Sequence, residues 1–332
     1  MTAPLLWLLL LAIPFRAAAA PPCASECKEL KKKGELRPGV PVEDCTLRLC
    51  HEAARTLYQR DAFEEALKAL DHIRDERAGS PSYELDRGLV LYALGRLDEA
   101  IESFDRVLEA LATSLRAGTQ RGHALARLGQ LDEAKAQFER LRELPGASRE
   151  LKGVRTSSYL LGAIGVIELR QGKLKKGKRD LEEALEDDGS NGLAATMLYK
   201  VVPSLESQDL SPEAIGLLER AYEEIALGRP KKGIAIFEKI VDRWPRYEVG
   251  WRILGQTYFA RLDYRACEDV YRRAEKNLPK RTELGLERIR CTILRHGLGS
   301  QEAQAAVDEL RRRAVSDPDN PRLKELLFAL DL

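Results

Sequence analysis

The chain has 332 residues, with 54 Lys and Arg against 53 Asp and Glu, and is 44% hydrophobic and 32% charged. That is too apolar for a disordered chain and too polar for a bundle of membrane spans, so a folded, water-exposed protein is expected. A net charge of +1 supplies no excess positive potential, which argues against nucleic acid as a ligand. Two Met, three Trp and seven Phe are few large side chains for this length, while Leu, Ala, Arg, Glu and Lys dominate. Such a composition predicts packed amphipathic helices and no strands.

At the amino terminus, Leu5 to Ile13 form an uncharged apolar run, followed by Pro14 and by Ala17, Ala18, Ala19 and Ala20. The run is too short to span a bilayer, and the small residues after it suit a signal peptidase, so it reads as an export signal. Pro21 obstructs cleavage after Ala20, which places the preferred cut after Ala19. Arg16 lies on the wrong side of the run for such a signal, and a buried amino-terminal helix is the competing reading. Ala20, Pro21 and Pro22 do not make a lipoprotein processing site before Cys23, so the expected mature chain carries no lipid, no transmembrane span and no net charge.

Cys23, Cys27, Cys45 and Cys50 fall within 28 residues, an even cluster that an oxidising compartment converts to disulfides. Cys23 and Cys27 share a helix face, Cys45 and Cys50 nearly so, and Pro38, Gly39 and Pro41 mark a turn between them. Two antiparallel helices so arranged pair Cys27 with Cys45 and Cys23 with Cys50, each link contributing about 3 kcal/mol in the chain-entropy picture. A zinc site of the four thiolates, with His51, is the rival, but the C-x3-C and C-x4-C spacings are looser than the usual C-x2-C knuckle. No metal and no other cofactor is expected.

Further on, the segments DAFEEALKALDHI from Asp61, GRLDEAIESFDRV from Gly95 and GQLDEAKAQFERL from Gly129 are copies of one pattern, with Ala66, Ala100 and Ala134 each 34 residues apart. Upstream, Ala54, Gly88 and Gly122 keep the same interval, and later copies start at Gly172, Gly228 and Leu262. The physical reading is a pair of antiparallel helices per copy. Small residues at two fixed places let the helices approach, and the Leu or Phe that follows fills the gap to the next copy.

This pattern resembles the tetratricopeptide repeat family, and Trp251, Leu254, Gly255, Tyr258, Tyr271, Ala274 and Pro279 stand at the family's signature places. The resemblance covers residues 47–318 and implies an all-α, right-handed superhelical solenoid of helix pairs. The matching small position steps by 43 residues from Ala134 to Gly177, which implies nine inserted residues around LPGASRELKGV, and by 56 from Gly177 to Gly233. Residues Asn191 to Glu206 therefore read as an unpaired helix, after which Ser211 as N-cap and Pro212 at the first helical position restart the array.

The expected organisation is a signal over 1–19, a cysteine-rich helical cap over 20–46, one array over 47–190, an irregular joint over 191–210, a second array over 211–318 and a capping helix over 319–332. Asn320 and Pro321 start that last helix, whose Leu323, Leu326, Leu327 and Leu330 form one apolar stripe. Cys267 takes the small place of the sixth copy and Cys291 lies on the first helix of the seventh. Two buried thiols are the plain reading there and a third disulfide the sharper one.

The resemblance also implies that the first helix of each pair lines a concave groove holding an extended or helical segment of a partner protein. In the family's register the groove residues are His51 and Arg55 in the first unit, Leu85, Leu89 and Tyr92 in the second, and Arg116, Thr119, His123 and Arg127 in the third. Tyr159, Tyr222, Arg252, Gln256 and Phe259 follow in later units. Arg, His and Tyr with a few aliphatics suit a peptide backbone, an acidic side chain or a carboxylate. The plainer alternative for Arg55 or Arg127 is pairing with a glutamate on its own face. Where relatives carry the Asn and Lys of a carboxylate clamp, this chain has His51, Arg55, Leu85 and Leu89, which argues against a cytosolic chaperone adaptor.

Motifs of catalysis are missing: the sequence has no Gly-rich phosphate loop, no H-E-x-x-H and no nucleophile elbow, and His51, His72, His123 and His296 are scattered. The acid pairs of GRLDEA and GQLDEA start second helices, where carboxylates favour the positive helix end. Basic runs such as Lys31 to Lys33 and Arg311 to Arg313 are balanced by nearby acids and read as solvated faces. The chain thus reads as a non-enzymatic, protein-binding scaffold exported to a bacterial periplasm or an equivalent lumen, where it assembles or stabilises an envelope complex. A holdase chaperone and a non-catalytic regulator of a cell-wall enzyme are the alternatives, and self-association through the convex face is left open.

Overall fold

The computed structural model describes residues 42–144, 150–151, 154–226 and 229–329, together with Cys23 and Lys32. The export signal, most of the cysteine-rich cap and Leu330 of the capping stripe lie outside the described residues. The chain is all-α, built of antiparallel helix pairs of tetratricopeptide type, and divides into two compact units between Gln130 and Leu131.

In the first unit the helix Val42–Gln59 packs on Phe63–Asp71, and Pro81–Leu94 packs on Leu97–Ala110, with Leu115–Leu128 following. Ala54, Ala66, Ala100 and Phe104 are buried. Phe104 stands so close to Gly88 that a Cβ there would lie 2.5 Å from the ring. The small residues therefore remove the side chain where two helices come nearest, as the 34-residue pattern requires. Five residues before Ala66, Ala100, Ala134, Gly177 and Cys267 the backbone turns left-handed, at Asp61, Gly95, Gly129, Gly172 and Leu262, with φ between 59° and 86°.

The second unit begins with Leu131–Arg142. Here the expectation of no strands meets an exception: Glu150 pairs with Arg155 and Leu151 with Val154, antiparallel. The pairing supplies partners to backbone groups that a bare connection would leave unmatched. Thr156–Arg170 then packs on Leu174–Asp187, with Gly177 so near Gly165 that a Cβ on it would lie 2.8 Å from the Gly165 carbonyl oxygen.

The segment expected as an unpaired joint helix is helical, Gly192–Thr196 passing through a π-turn at Met197–Val201 into Val202–Glu206. Its Ala194, Met197, Val201 and Val202 belong to one apolar core that runs from Leu161 to Cys291. Pro212–Ala226 restarts the pairs, but Ser211 does not cap it through its side chain. The backbone carbonyl of Ser211 accepts from the Ala214 N–H at 3.0 Å, while the hydroxyl is buried without a partner. Pro212–Ala226 pairs with Pro230–Arg243, Glu248–Ala260 with Tyr264–Asn277 and Thr282–His296 with Gln301–Ser316, and Pro321–Ala329 follows. Asn320 Oδ1 accepts from the Arg322 N–H at 3.0 Å, and Leu323 and Leu326 are buried against Leu286, Ile289 and Leu310.

Cys23 and Cys50 are bonded, with Cα atoms 5.0 Å apart, which leaves no set of four thiolates for zinc. The expected Cys27–Cys45 link lies outside the described residues. Cys267 and Cys291 are bonded as well, so the plain reading of two buried thiols is corrected. Their helices are neighbours, and a Cα separation of 6.0 Å lies within the reach of a disulfide.

Candidate functional site

Three successive first helices of the first unit bring side chains to one pocket of about 400 Å³. Val42–Gln59 contributes Arg55 and Tyr58, Pro81–Leu94 contributes Asp86, Leu89 and Val90, and Leu115–Leu128 contributes Arg116. Spacings of three and four residues place each set on one helix face, and Leu70 from the intervening second helix closes the floor.

The carboxylate of Asp86 organises this pocket. Arg55 Nε donates to Asp86 Oδ2 at 2.5 Å, and His51 Nε2 lies 2.8 Å from the same oxygen. Burial pushes the Asp86 carboxyl up, but the hydrogen bonds from His51 and Arg55 outweigh it and hold the group below its ordinary range. The plainer alternative therefore applies to Arg55 in altered form: its partner is an aspartate on the next first helix rather than a glutamate on its own face. Arg116 is exposed and forms no ion pair among the described residues.

The other expected groove residues of this unit divide by burial. Arg127 lays its guanidinium 4.8 Å above the Tyr92 ring and donates to the Tyr92 carbonyl at 3.2 Å. Leu85 and His123 are half-buried. Thr119 is buried.

Of the expected residues in the second unit, Arg252 and Gln256 line one pocket, and Tyr159, Tyr222 and Phe259 do not join them. Arg252 is held by Glu248 at 3.0 Å and by Glu283, and shares a pocket of about 260 Å³ with Gln256, Glu287 and Arg322. Phe259 is covered by the Arg290 guanidinium at 3.9 Å and meets the Tyr264 ring edge-on. Tyr222 stacks its edge on Phe237, with ring centroids 5.5 Å apart. The Tyr159 hydroxyl is pushed up to about 12, chiefly by burial and further by the Glu219 carboxylate.

Sequence reasoning missed Tyr58, Gln59 and Asp86. A signal for Asp86 exists: it stands one 34-residue period after Glu52, so an acid recurs on the face that carries His51 and Arg55. Among the described residues no cluster of His, Cys, Asp and Glu could hold a metal ion, and no helix is long and apolar enough to cross a membrane.

The sequence matches the tetratricopeptide repeat family over residues 51–114 and again over residues 116–144. No curated protein matches the chain. Among solved structures, a tetratricopeptide repeat protein from Parabacteroides merdae is similar over 85% of this chain and 97% of its own, at 16% identity and a TM-score of 0.40. PilW, described as a widely conserved type IV pilus biogenesis factor, is similar over 85% of this chain and 98% of its own, at 14% identity and a TM-score of 0.37. MamA from Desulfovibrio magneticus is similar over 59% of this chain and 94% of its own, at 19% identity and a TM-score of 0.36. Tetratricopeptide repeats are thus present over 51–114 and 116–144.

Proposed function

We propose that this protein is a binding scaffold of an exported compartment, a bacterial periplasm or an equivalent lumen. It holds a segment of a partner protein against its first helices and so assembles or stabilises an envelope complex. The observation that carries this reading is the meeting of Arg55, Asp86 and Arg116, from three successive first helices, around one pocket of about 400 Å³. One guanidinium there is neutralised and one is free, above an apolar floor of Leu70, Leu89 and Val90, which suits a segment bearing a carboxylate. The bonded pairs Cys23–Cys50 and Cys267–Cys291 support an oxidising compartment.

A dedicated partner is favoured over a holdase because Leu89 is buried and Leu85 half-buried. A holdase needs a broad exposed apolar groove. Regulation of a cell-wall enzyme would use the same groove and differ only in that the partner's rate responds.

The test is photo-crosslinking in the native host, with a reactive residue at Tyr92 or His123. The expected result is one recurring envelope protein whose capture is lost with Arg116→Glu. A smear of unrelated exported chains would overturn the reading in favour of a holdase, and capture of cytosolic proteins alone would overturn export.

A further inference from the structure

A cavity of about 780 Å³ lies in the second unit and contains none of the expected groove residues. Three segments form it: the π-turn helix with the turn after it, the start of Glu248–Ala260, and the connection between Tyr264–Asn277 and Thr282–His296. Its walls therefore come from connections and helix ends. Its volume falls in the roughly 300–1,000 Å³ range of ligand clefts.

Charge and apolar surface alternate around it. Four cations line the cavity, Lys200, Arg246, Lys280 and Arg281, against two acids, Asp209 and Glu248. Each acid is already engaged: Arg246 Nε lies 2.8 Å from Asp209 Oδ1, and Arg281 Nε lies 2.9 Å from Glu248 Oε2. Lys200 and Lys280 are exposed and form no ion pair among the described residues, so the cavity holds an excess of two positive charges. Between them stand Pro203, Val249, Leu278 and Pro279, and the Tyr199 ring is 70% exposed at the rim.

The local backbone explains why Tyr199 stands there. A π-turn adds one residue to a helical turn and so rotates the side chains it carries out of register with their neighbours. Met197 and Val201 point into the core, while Tyr199 and Lys200 are turned outward together. An exposed tyrosine ring is a common interface anchor, and the ammonium beside it supplies an unpaired positive charge.

We infer that this cavity docks an acidic segment of a partner protein, an extended chain whose carboxylates meet Lys200 and Lys280 and whose apolar side chain packs on Tyr199 and Pro203. Charge complementarity selects the acidic character, since the two acids of the cavity are engaged and its two lysines are not. The concave shape selects a chain over an anionic bilayer, which docks on protruding surfaces. With only two unpaired cations, the site neutralises too few phosphates for nucleic acid. The inference is independent of the groove in the first unit.

The experiment uses the oxidised, full mature chain and a short dye-labelled peptide of glutamate pairs separated by single leucines, with its glutamine counterpart as control, read by fluorescence anisotropy. The expected result is binding of the acidic peptide, weakened about tenfold or more by Lys200→Glu with Lys280→Glu and several-fold by Tyr199→Ala. Lys68→Glu, at an exposed lysine of the first unit that lines neither cavity, leaves that binding unchanged. Circular dichroism of the variants, all at exposed positions, checks that they fold. Equal binding of the glutamine peptide, or binding indifferent to both lysines, would overturn the inference. So would an absence of binding, or Lys200- and Lys280-dependent sedimentation with phosphatidylserine vesicles in place of peptide binding.

Discussion

The first unit and the second solve one packing problem by different means. From Ala54 to Gly122 the small residues fall at a fixed interval of 34. Buried Arg87 donates to Ser103 Oγ at 3.1 Å, and buried Glu84 accepts from the Gly79 N–H at 3.0 Å and from Arg106 at 3.3 Å. In the second unit the interval breaks to 43 and then 56, a helix is inserted, and a carboxylate with no exposed surface, Glu168, sits between Lys135 and Lys176. What the two units share is the pairing of a small residue with a large one: Gly88 with Phe104, Gly177 with Leu169, Gly255 with Tyr271. The complementarity is the rule, and the period is its consequence where nothing is inserted.

The largest expected effect removes the large partner from a regular pair. Phe104 is completely buried over Gly88, so Phe104→Ala leaves a cavity that rigid helices close only in part. The expected loss is about 3–5 kcal/mol, read as a fall in the urea midpoint with helicity retained. A loss below 1 kcal/mol, on the order of an exposed substitution, would mean that the helices of the first unit can collapse onto Gly88.

Nearly as large is the effect of stripping the cations from Glu168. The Lys135 ammonium lies 2.8 Å and the Lys176 ammonium 2.5 Å from Glu168 Oε1, on either side of a carboxyl that cannot reach water. Burial pushes that carboxyl up, but the two ammonium groups outweigh it and hold it below its ordinary value. Asp180 beside it is pushed up, by burial first and then by the Glu168 charge. Lys135→Met with Lys176→Met leaves the charge buried and uncompensated, an expected loss of about 3–5 kcal/mol near neutrality. A carboxyl lowered in the folded state contributes stability above its unfolded pKa of about 4.3, and that contribution disappears as pH falls through the lower folded value. The wild type should therefore lose its advantage over the double variant as the solution is acidified. A gap that stays constant with pH would show that packing of the lysine stems, not charge, is what the substitution removed.

A smaller effect tests the irregular unit by the same logic as the regular one. A methyl group on Gly177 would meet the Gly165 carbonyl oxygen and the Leu169 side chain, both at 2.8 Å, and a backbone carbonyl cannot turn aside as a side chain can. Gly177→Ala should cost about 1–3 kcal/mol despite the gain in helix propensity. Gly192→Ala, where nothing stands within 4 Å, is the control and should not destabilise. Equal midpoints for the two variants would mean that Gly165 and Gly177 are not in contact in solution.

These contrasts also show where the sequence was readable. Ala66, Ala100, Phe104 and Trp251 were legible because a helix interface needs size complementarity at fixed spacing, and spacing is what a sequence displays. The period marks an acid at Asp86, after Glu52, but not its bonding, because its partners His51 and Arg55 lie 35 and 31 residues away on a different helix. A periodic comparison aligns each residue with its equivalent one period on, and a bond between non-equivalent positions leaves no mark in that alignment. The hairpin at Glu150–Arg155 and the π-turn at Met197–Val201 were hidden for a related reason: they occupy the stretches where the interval fails. The cavity beside Lys200 and Lys280 belongs to that same inserted stretch and its neighbours, so it had no family register in which to be noticed.

The smallest expected effect has the opposite sign. The left-handed turn five residues before the small position is filled by glycine at Gly95, Gly129 and Gly172, by Asp61 in the first copy and by Leu262 at φ 60° in a later one. A leucine Cβ crowds the following carbonyl in that conformation, at a cost of roughly 1–2 kcal/mol. Its side chain recovers little, since Leu262 is 69% exposed. Leu262→Gly should accordingly stabilise the protein by only a fraction of that cost, because the more flexible glycine loses more backbone entropy on folding, leaving about 0.5–1 kcal/mol. The opposite change in the regular unit, Gly95→Leu, should cost at least as much as Leu262→Gly returns, since Gly95 takes the same turn at φ 81°. A rise in thermal midpoint for the first variant and a fall for the second would establish that the turn geometry is set by the packing of the helix pair. Loss of stability in both would mean that Leu262 is held by contacts its exposure does not reveal.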